Sequence, residues 1–558
     1  MILTTALSTG FNPRYMVTAL THQLPLWLIS SLIFFYPPAL SAQNWTDAQT
    51  FGESRQSLEA LLQTKQGLLI AQAFSGSYTL GTETVNSRGE QDILLLRRSE
   101  TGEVQKILHA GSTRDDALNV MAEDSKGNLI LAGSFWTSID FGAFQLNSRP
   151  ASPRALFLIK VDAEGKLLWS QTFEGGTVKE INDLVIDSEN NIFIGGYFDQ
   201  ELQFADTSLF STAQSSAFYA RFRENGELDW CHSFGETGNT RATVVEQYAG
   251  RKYLLGGFYD DTLKVANQSF PANTNDEDAF LLSLNTESQV DWVRKAGGVF
   301  NEIPTGLVVD ETGHSYLAGQ IVGVLVVNDS LRIESRDGNS DCFLIRYDSL
   351  GRADWAKSFG GDQLQLTNDL LYENGQIWLN GHFQENLEID DLRLVARGPL
   401  TFEGFLAQLD TNGQAQQLVA LPGDPGTVLA NHLASSPSGI WLGGDISGRL
   451  RLGDFQLESP LAGFTSYIAE FGALPTANRQ VENSQTVQIF PNPARDQLFL
   501  TSKLPIERYS IWDSQGRCLR RSPKTVSGII NLNQWPAGLY YLRIHQSGAV
   551  QVHPFVIR

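Results

Sequence analysis

The sequence predicts an all-β protein: a seven-bladed β-propeller of four-stranded blades, closed by its N-terminal strand, followed by a small Ig-like β-sandwich. Three observations predict it. A glycine-containing strand recurs at Gly133, Gly196, Gly257, Gly319, Gly381 and Gly444, at spacings of 63, 61, 62, 62 and 63 residues. A tryptophan recurs at Trp169, Trp230, Trp292 and Trp355, spaced by 61, 62 and 63. An orphan fragment, NWTDAQTFG (44–52), reads as the end of a unit whose beginning is missing. A fixed period of this length marks stacked or radially repeated units.

Each unit carries four strand signals. The first alternates, as in ALNVMAED (117–124) or INDLVID (181–187). The second holds the glycine, as in GNLILAGSF (127–135) and RKYLLGGFY (251–259). GLLIAQAF (67–74) is a weaker copy, with Ala73 in the glycine's place. The third is a short apolar run, such as LFLIKVD (156–162). The fourth often carries tryptophan, as in LDWCHSFG (228–235). Turns such as DSKGN (124–128) and DSLGR (348–352) join them, with Asp bonding the turn backbone and Gly or Asn taking positive φ. About 20 further residues separate strands two and three, which lengthens the period beyond that of familiar propellers. The pattern resembles the bacterial β-propeller repeat family, a likeness that implies fold and says little about activity.

Counting strands places the orphan. The seventh unit ends at TSYIAEFGA (465–473) without a fourth strand, and Gln49-Thr50-Phe51 repeats Gln171-Thr172-Phe173. The fragment is expected to pair as the outer strand of the last blade against residues 465–471. Closure would remove the open edges of an array.

The ends are different in kind. Residues 1–42 contain no Asp or Glu and hold the apolar run LPLWLISSLIFFY before PPALSAQ, a pattern that reads as a secretory signal peptide. No later run is apolar enough to span a membrane. Residues 43–483 hold 31 basic and 59 acidic residues, whereas 484–558 hold nine and three. This asymmetry marks two modules: the propeller at 43–474 and, after a polar linker at 475–488, a module at 489–558. Acidity on this scale repels phosphate backbones, so nucleic acid is not expected as a partner. Cys231, Cys342 and Cys518 are too far apart for a disulfide framework or a zinc site.

The C-terminal module contains IFPNPARDQLFL (489–500), YSIWDSQGRCL (509–519) and IINLNQWPAGLYYLRI (529–544). The order of elements resembles the type A C-terminal sorting domain of the type IX secretion system. The matching residues are Pro491, Asn492 and Pro493, then Asp513 and Gly516, then Gly538, Leu539 and Tyr540. The resemblance implies handling by the outer-membrane secretion machinery and a secreted or cell-surface protein. Pro554 departs from an ordinary ladder strand and should lie on an edge.

Catalytic motifs are not found. No histidine falls in a metal spacing, and there is no nucleophile elbow or phosphate loop. His382 and His432 read as plain strand residues, and the Asp115–Asp116 and Asp260–Asp261 pairs as solvated loop residues. The acidic turns raise calcium as a ligand, although none has the oxygen spacing of a known calcium loop; no other cofactor is expected. One polar position recurs in the first strand: Glu59, Asn119, Asn182, Thr243, Thr305, Asn368 and Asn431. These residues should ring the channel mouth, satisfying backbone groups or forming a shallow ligand site. Two functions follow. In one, a non-catalytic propeller binds a protein or glycan through the face carrying its inter-blade connections and long insertions. In the other, a glycan-cleaving site lies at the channel mouth, and carboxylates from different blades should converge there.

Overall fold

The computed structural model describes residues 45–52, 56–149, 154–248, 252–273, 276–336, 338–398, 401–460, 463–472, 488–501, 508–513, 518–522, 529–533, 535–546 and 549–558. The leader and nearly all of the linker lie outside them. Among the described residues every regular element is a strand.

The third repeat shows how a unit is built. Its strands Lys179–Ile186, Ile192–Phe198, Ser216–Phe222 and Leu228–Phe234 pair in sequence order, all antiparallel. Its second and third strands are buried along their whole length. That is why they read as continuous apolar runs while the first and fourth alternate. The same four-strand core recurs in seven sheets. The innermost strands are Gln56–Thr64, Ala117–Glu123, Lys179–Ile186, Thr240–Tyr248, Glu302–Val309, Gln365–Glu373 and Gly423–Ser436.

The repeated glycine is a packing requirement. A Cβ at Gly257 would fall 2.0 Å from the Arg241 carbonyl oxygen, and one at Gly196 only 2.8 Å from the Phe218 ring. In six sheets the glycine sits opposite an aromatic residue of the third strand, from Phe157 facing Gly133 to Tyr467 facing Gly444. The first sheet corrects the sequence reading. Gln72, not Ala73, holds the glycine's place: it lies opposite Leu58 as Gly133 lies opposite Leu118. Its third-strand neighbour is Leu94, which leaves room for a side chain.

Neighbouring sheets are locked by the fourth strand. The indole Nε1 of Trp169 donates to the Glu224 carbonyl and that of Trp230 to the Thr286 carbonyl, each at 3.0 Å in the next sheet's outer turn. A glycine in that turn lies against the indole; a Cβ at Gly351 would fall 2.6 Å from the Trp292 ring. Gly351 has φ of 71°, so its turn also needs a left-handed residue.

The long insertions are short hairpins. Glu201–Gln203 with Ser208–Phe210 and Val324–Val326 with Arg332–Glu334 are two of them. Some also bridge to the connection entering their sheet, as Gly297 does to Val326 and Gly111 to Asp140. In the seventh sheet the second strand, Gly439–Leu452, runs on instead and pairs with Phe455–Ser459.

Trp45–Phe51 pairs antiparallel with Thr465–Gly472, from Trp45 opposite Phe471 to Phe51 opposite Ser466. Trp45 packs edge-on against Phe471 at 5.0 Å. It stands two residues from Asp47, which occupies the register of the other tryptophans. The first and seventh inner strands also meet. Leu58 donates its N–H to Asp445 Oδ1 at 3.0 Å, and His432 Nε2 lies 3.1 Å from the Leu58 carbonyl oxygen. Arg98 pairs with Asp47 and lies 5.0 Å over the Trp441 ring.

The C-terminal module has two antiparallel sheets. Gln488–Phe490, Gln497–Thr501 and Ile529–Asn531 form one. Cys518–Arg521, Arg508–Asp513, Gly538–Gln546 and Ala549–Ile557 form the other, in that order. They share a core in which Leu498, Ile511, Ile530, Leu542 and Phe555 are fully buried. Pro554 lies in the last strand of its sheet, the edge position expected of a residue with no N–H.

Candidate functional site

The seven polar positions share one local geometry. Each is the extra residue of a β-bulge on an inner strand. The register skips Glu59 between Leu58 and Ala60, Asn119 between Leu118 and Val120, and Asn182 between Ile181 and Asp183. It skips Thr243, Thr305, Asn368 and Asn431 in the same way. A bulge bends the strand and leaves the extra residue outside the ladder.

The bulge side chains are spent on the neighbouring sheet. Asn119 Nδ2 donates to the Ile181 carbonyl at 2.9 Å, and Asn182 Nδ2 to the Ala242 carbonyl at 2.6 Å. Thr243 Oγ1 donates to the Pro304 carbonyl at 2.9 Å, and Asn368 Nδ2 to the Ala430 carbonyl at 2.8 Å. In each case the acceptor immediately precedes the next bulge residue. Thr305 instead meets Thr367 hydroxyl to hydroxyl at 2.8 Å, and Asn431 Nδ2 donates to Asp445 at 3.1 Å. Glu59 cannot donate when ionised; it accepts from Ser57 at 2.5 Å. The pattern is relayed from sheet to sheet between Asn119 and Asn368 and broken at Asn431, which bonds within its own sheet, and at Glu59.

The next residue adds a second set. Asp183 Oδ2 accepts the Val245 N–H, and Asp369 Oδ2 the Leu433 N–H, both at 2.8 Å across to the following sheet. Burial pushes the Asp183 carboxyl up to about 7 and that of Asp369 to about 6. One turn of pleat further on, Glu246 is raised to about 8, by burial first and then by Asp183. Asp445 is raised to about 7 by burial, with Glu59 adding to it. Thus carboxyls from several sheets do influence one another. His382 and His432 are pushed down to about 4 by burial, so both stand neutral at pH 7. His382 is 3.1 Å from Asn368, so the two histidines sit in this polar network rather than as isolated strand residues.

Two expectations about acidic residues change. Asp116 is 1% exposed at the entry to its inner strand, beside Asp92. It is not solvated, because the position three before the bulge faces inward in every sheet. Asp260 accepts from the Asn239 backbone and side chain, while Asp261 is exposed. In the acidic turns the carboxylates bind the turn backbone, as Asp124 Oδ1 does with the N–H groups of Lys126 and Asn128, both at 2.8 Å. Among the described residues no group of three or more His, Cys, Asp or Glu is arranged to hold a metal ion.

In the C-terminal module Asn492 Oδ1 accepts the Val556 N–H at 2.9 Å, and Ala494 bonds to both Val556 and Arg558. The Pro491-Asn492-Pro493 segment is thereby tied to the chain's last strand. Tyr540 is buried, donates to the Pro536 carbonyl at 2.8 Å and stacks on Phe555. Leu539 points out, 42% exposed, Gly538 opens the strand, and Asp513 ends its own. Gly516 lies outside the described residues.

Residues 488–558 match the secretion system C-terminal sorting domain. An uncharacterised WD repeat-containing protein of Acanthamoeba polyphaga mimivirus is 21% identical over 378 residues, 54% of this chain. The match spans only 27% of that protein's length. Among solved structures, the WD40 β-propeller domain of Doa1 is 13% identical, with a TM-score of 0.38 over 76% of this chain and 97% of that one. Phage phi92 endosialidase is 8% identical, with a TM-score of 0.34 over 92% and 79%. The protein is a β-propeller carrying a type IX sorting tail, exported to the cell surface or beyond it. Among the described residues no helix is long and apolar enough to cross a membrane.

Proposed function

We propose that this protein is a secreted, non-catalytic binding module. Its seven sheets form one ring, completed by the N-terminal strand. Its C-terminal domain is an Ig-like sandwich that delivers it. Residues 1–42 act as the signal peptide and 475–488 as the linker. The observation that carries the binding reading is the placement of exposed apolar side chains. Val178, Phe210, Val299, Phe300, Val326 and Val395 lie on the inter-sheet connections or the inserted hairpins, which antiparallel topology puts at one end of every sheet, against Leu168 and Leu350 at the other. Val299, Phe300 and Val326 are 54%, 51% and 43% exposed, and the Gly297–Val326 bridge gathers them. Exposed apolar groups rimmed by polar loops suit a protein partner. The bulge ring contributes less, since its donors are already used between sheets.

A binding screen of residues 43–474 against cell-surface proteins and glycans tests this reading. Val299→Ser with Phe300→Ser should weaken capture without changing the melting temperature. If no partner is captured, or the double variant captures as well as wild type, the reading is wrong. Deletion of 484–558 should leave the protein unexported.

The glycan-cleaving alternative rests on the raised carboxyls of Asp183, Glu246 and Asp369. It requires polysaccharide hydrolysis that Asp183→Asn or Asp369→Asn abolishes.

A further inference from the structure

A groove of about 870 Å³ opens between the second and third sheets, at the end opposite the hairpins. It is walled by turns of both sheets. Two departures from the chain's own repeat meet there.

The first is Leu168. The outer strands carry a bulge just before the tryptophan, and in the third, fourth and fifth sheets its extra residue is Asp229, Asp291 or Asp354. Each aspartate pairs with a cation: Arg221, Lys252 and Arg346 respectively. The sixth and seventh sheets also keep a polar residue there, Gln416 and Thr46, whereas the second holds Leu168, which is 49% exposed.

The second is Arg223. The outer turn opens on Ser99, Asp162, Asn285, Asp348 or Asp410 in five sheets, and in each a side-chain oxygen accepts a backbone N–H of the turn. A guanidinium cannot accept. Arg223 instead reaches Asp229 at 2.9 Å, and Asn225 Oδ1 accepts the Glu227 N–H in its place at 3.1 Å. Both residues that depart from the polar choice made elsewhere line this one groove, where they shape its surface.

The cations in the groove are all paired. Lys160 lies 2.7 Å from Asp124, Arg221 3.0 Å from Asp187 and 2.6 Å from Asp229, and Lys126 pairs with Glu224. Counting Asp124 and Asp187 behind it, the groove sets six carboxylates, with Glu189, Glu224, Glu227 and Asp229, against the four cations Lys126, Lys160, Arg221 and Arg223, so nothing in it draws an anion. What remains is a fixed array of polarised donors and acceptors. Leu168 and the Trp169 indole supply an apolar wall. Asn128 and Asn191 direct Nδ2 at the aspartate behind them, Asp124 and Asp187, leaving amide oxygens as acceptors.

We propose that this groove binds a neutral oligosaccharide. Hydroxyls would bond to the paired guanidinium and carboxylate groups, and a sugar face would lie on Leu168. The site is separate from the hairpin face and does not depend on the partner proposed there.

The test is calorimetric titration of the full secreted chain with cellohexaose, maltohexaose, mannohexaose and, as the charged control, hexagalacturonate. Leu168→Asp and Arg223→Asp are the informative variants, because each restores the residue the repeat uses elsewhere and should fold. At least one neutral hexasaccharide should bind, and the double variant should weaken it by about tenfold or more with an unchanged melting temperature. Should the double variant melt lower, the Glu227→Lys variant at the exposed groove rim replaces it, with the same loss expected. Binding of only the charged sugar, of none, or equally by wild type and variants overturns the proposal.

Discussion

The inner-strand bulges and the turn groove both depend on single repeated positions, and they have diverged in opposite directions. At the inner bulges, amides and hydroxyls recur and bond the neighbouring sheet, from Asn119 to Ile181 and on to Thr243 with Pro304. In the groove, Leu168 offers no polar group, and Arg223 turns to Asp229 while Asn225 makes the turn bond. Within a repeat protein, agreement among copies marks what the fold needs. Disagreement at clustered places marks what the fold has been released from supplying. The first sheet shows a third case, where Gln72 replaces glycine and Leu94 replaces the aromatic opposite it. There two departures compensate and leave the packing closed.

The largest test of this contrast removes a shared structural element. Deleting residues 43–52 takes away Trp45 and Phe51, 8% and 3% exposed, and exposes the edge of Thr465–Gly472. A buried aromatic of this kind is worth about 3–5 kcal/mol. Thermal melting should show a large loss of stability, with the seventh sheet losing amide protection first in hydrogen exchange.

Next comes pH. The Asp183, Glu246 and Asp445 carboxyls are raised to about 7, 8 and 7 in the folded chain, from ordinary values near 4. The native state therefore holds more protons than the unfolded state between about pH 4 and 8, so stability falls as pH rises through that window. Melting temperature should be higher at pH 5 than at pH 8. The Asp183→Asn variant keeps an acceptor for Val245 and should flatten part of that slope. A melting temperature that rises with pH over this range would contradict the burial of these groups.

Smaller effects follow at the repeated glycine. Gly257→Ala forces a methyl against the Arg241 carbonyl and should cost about 1–3 kcal/mol by overpacking. Gln72 is fully buried, with neither amide atom hydrogen-bonded. Gln72→Leu should therefore gain about 1 kcal/mol, read from denaturant midpoints. Leu168→Asp and Arg223→Asp belong at the bottom of this order, with no change in stability expected.

The sequence carried the repeat because its glycines, turns and tryptophans are contacts that each sheet must make. It carried the N-terminal strand's partner because the missing fourth strand could be counted. The hairpins were illegible: strands of three or four residues, such as Ser138–Asp140, are too short for alternation to register. The bulges were legible in principle. Consecutive polar residues such as Asn182-Asp183 and Asn368-Asp369 break a period of two, and an extra residue is the physical reason. Asp116 was misread because two adjacent acidic residues look solvated until the inner strand is known to begin inside. Gln72 was missed because a strand run shows no partner, and its identity follows only from pairing with Leu58 and Leu94.

The bond between Trp45–Phe51 and Thr465–Gly472 sets an order of events. Thr46 and Glu470 touch although 424 positions separate them along the chain. The segment that leaves the ribosome near the beginning must wait, unpartnered, for one made near the end. Its waiting time is set by synthesis and passage of everything between, and non-local pairing of this kind is slow to form. The joint is a clasp between the two ends of the repeat region.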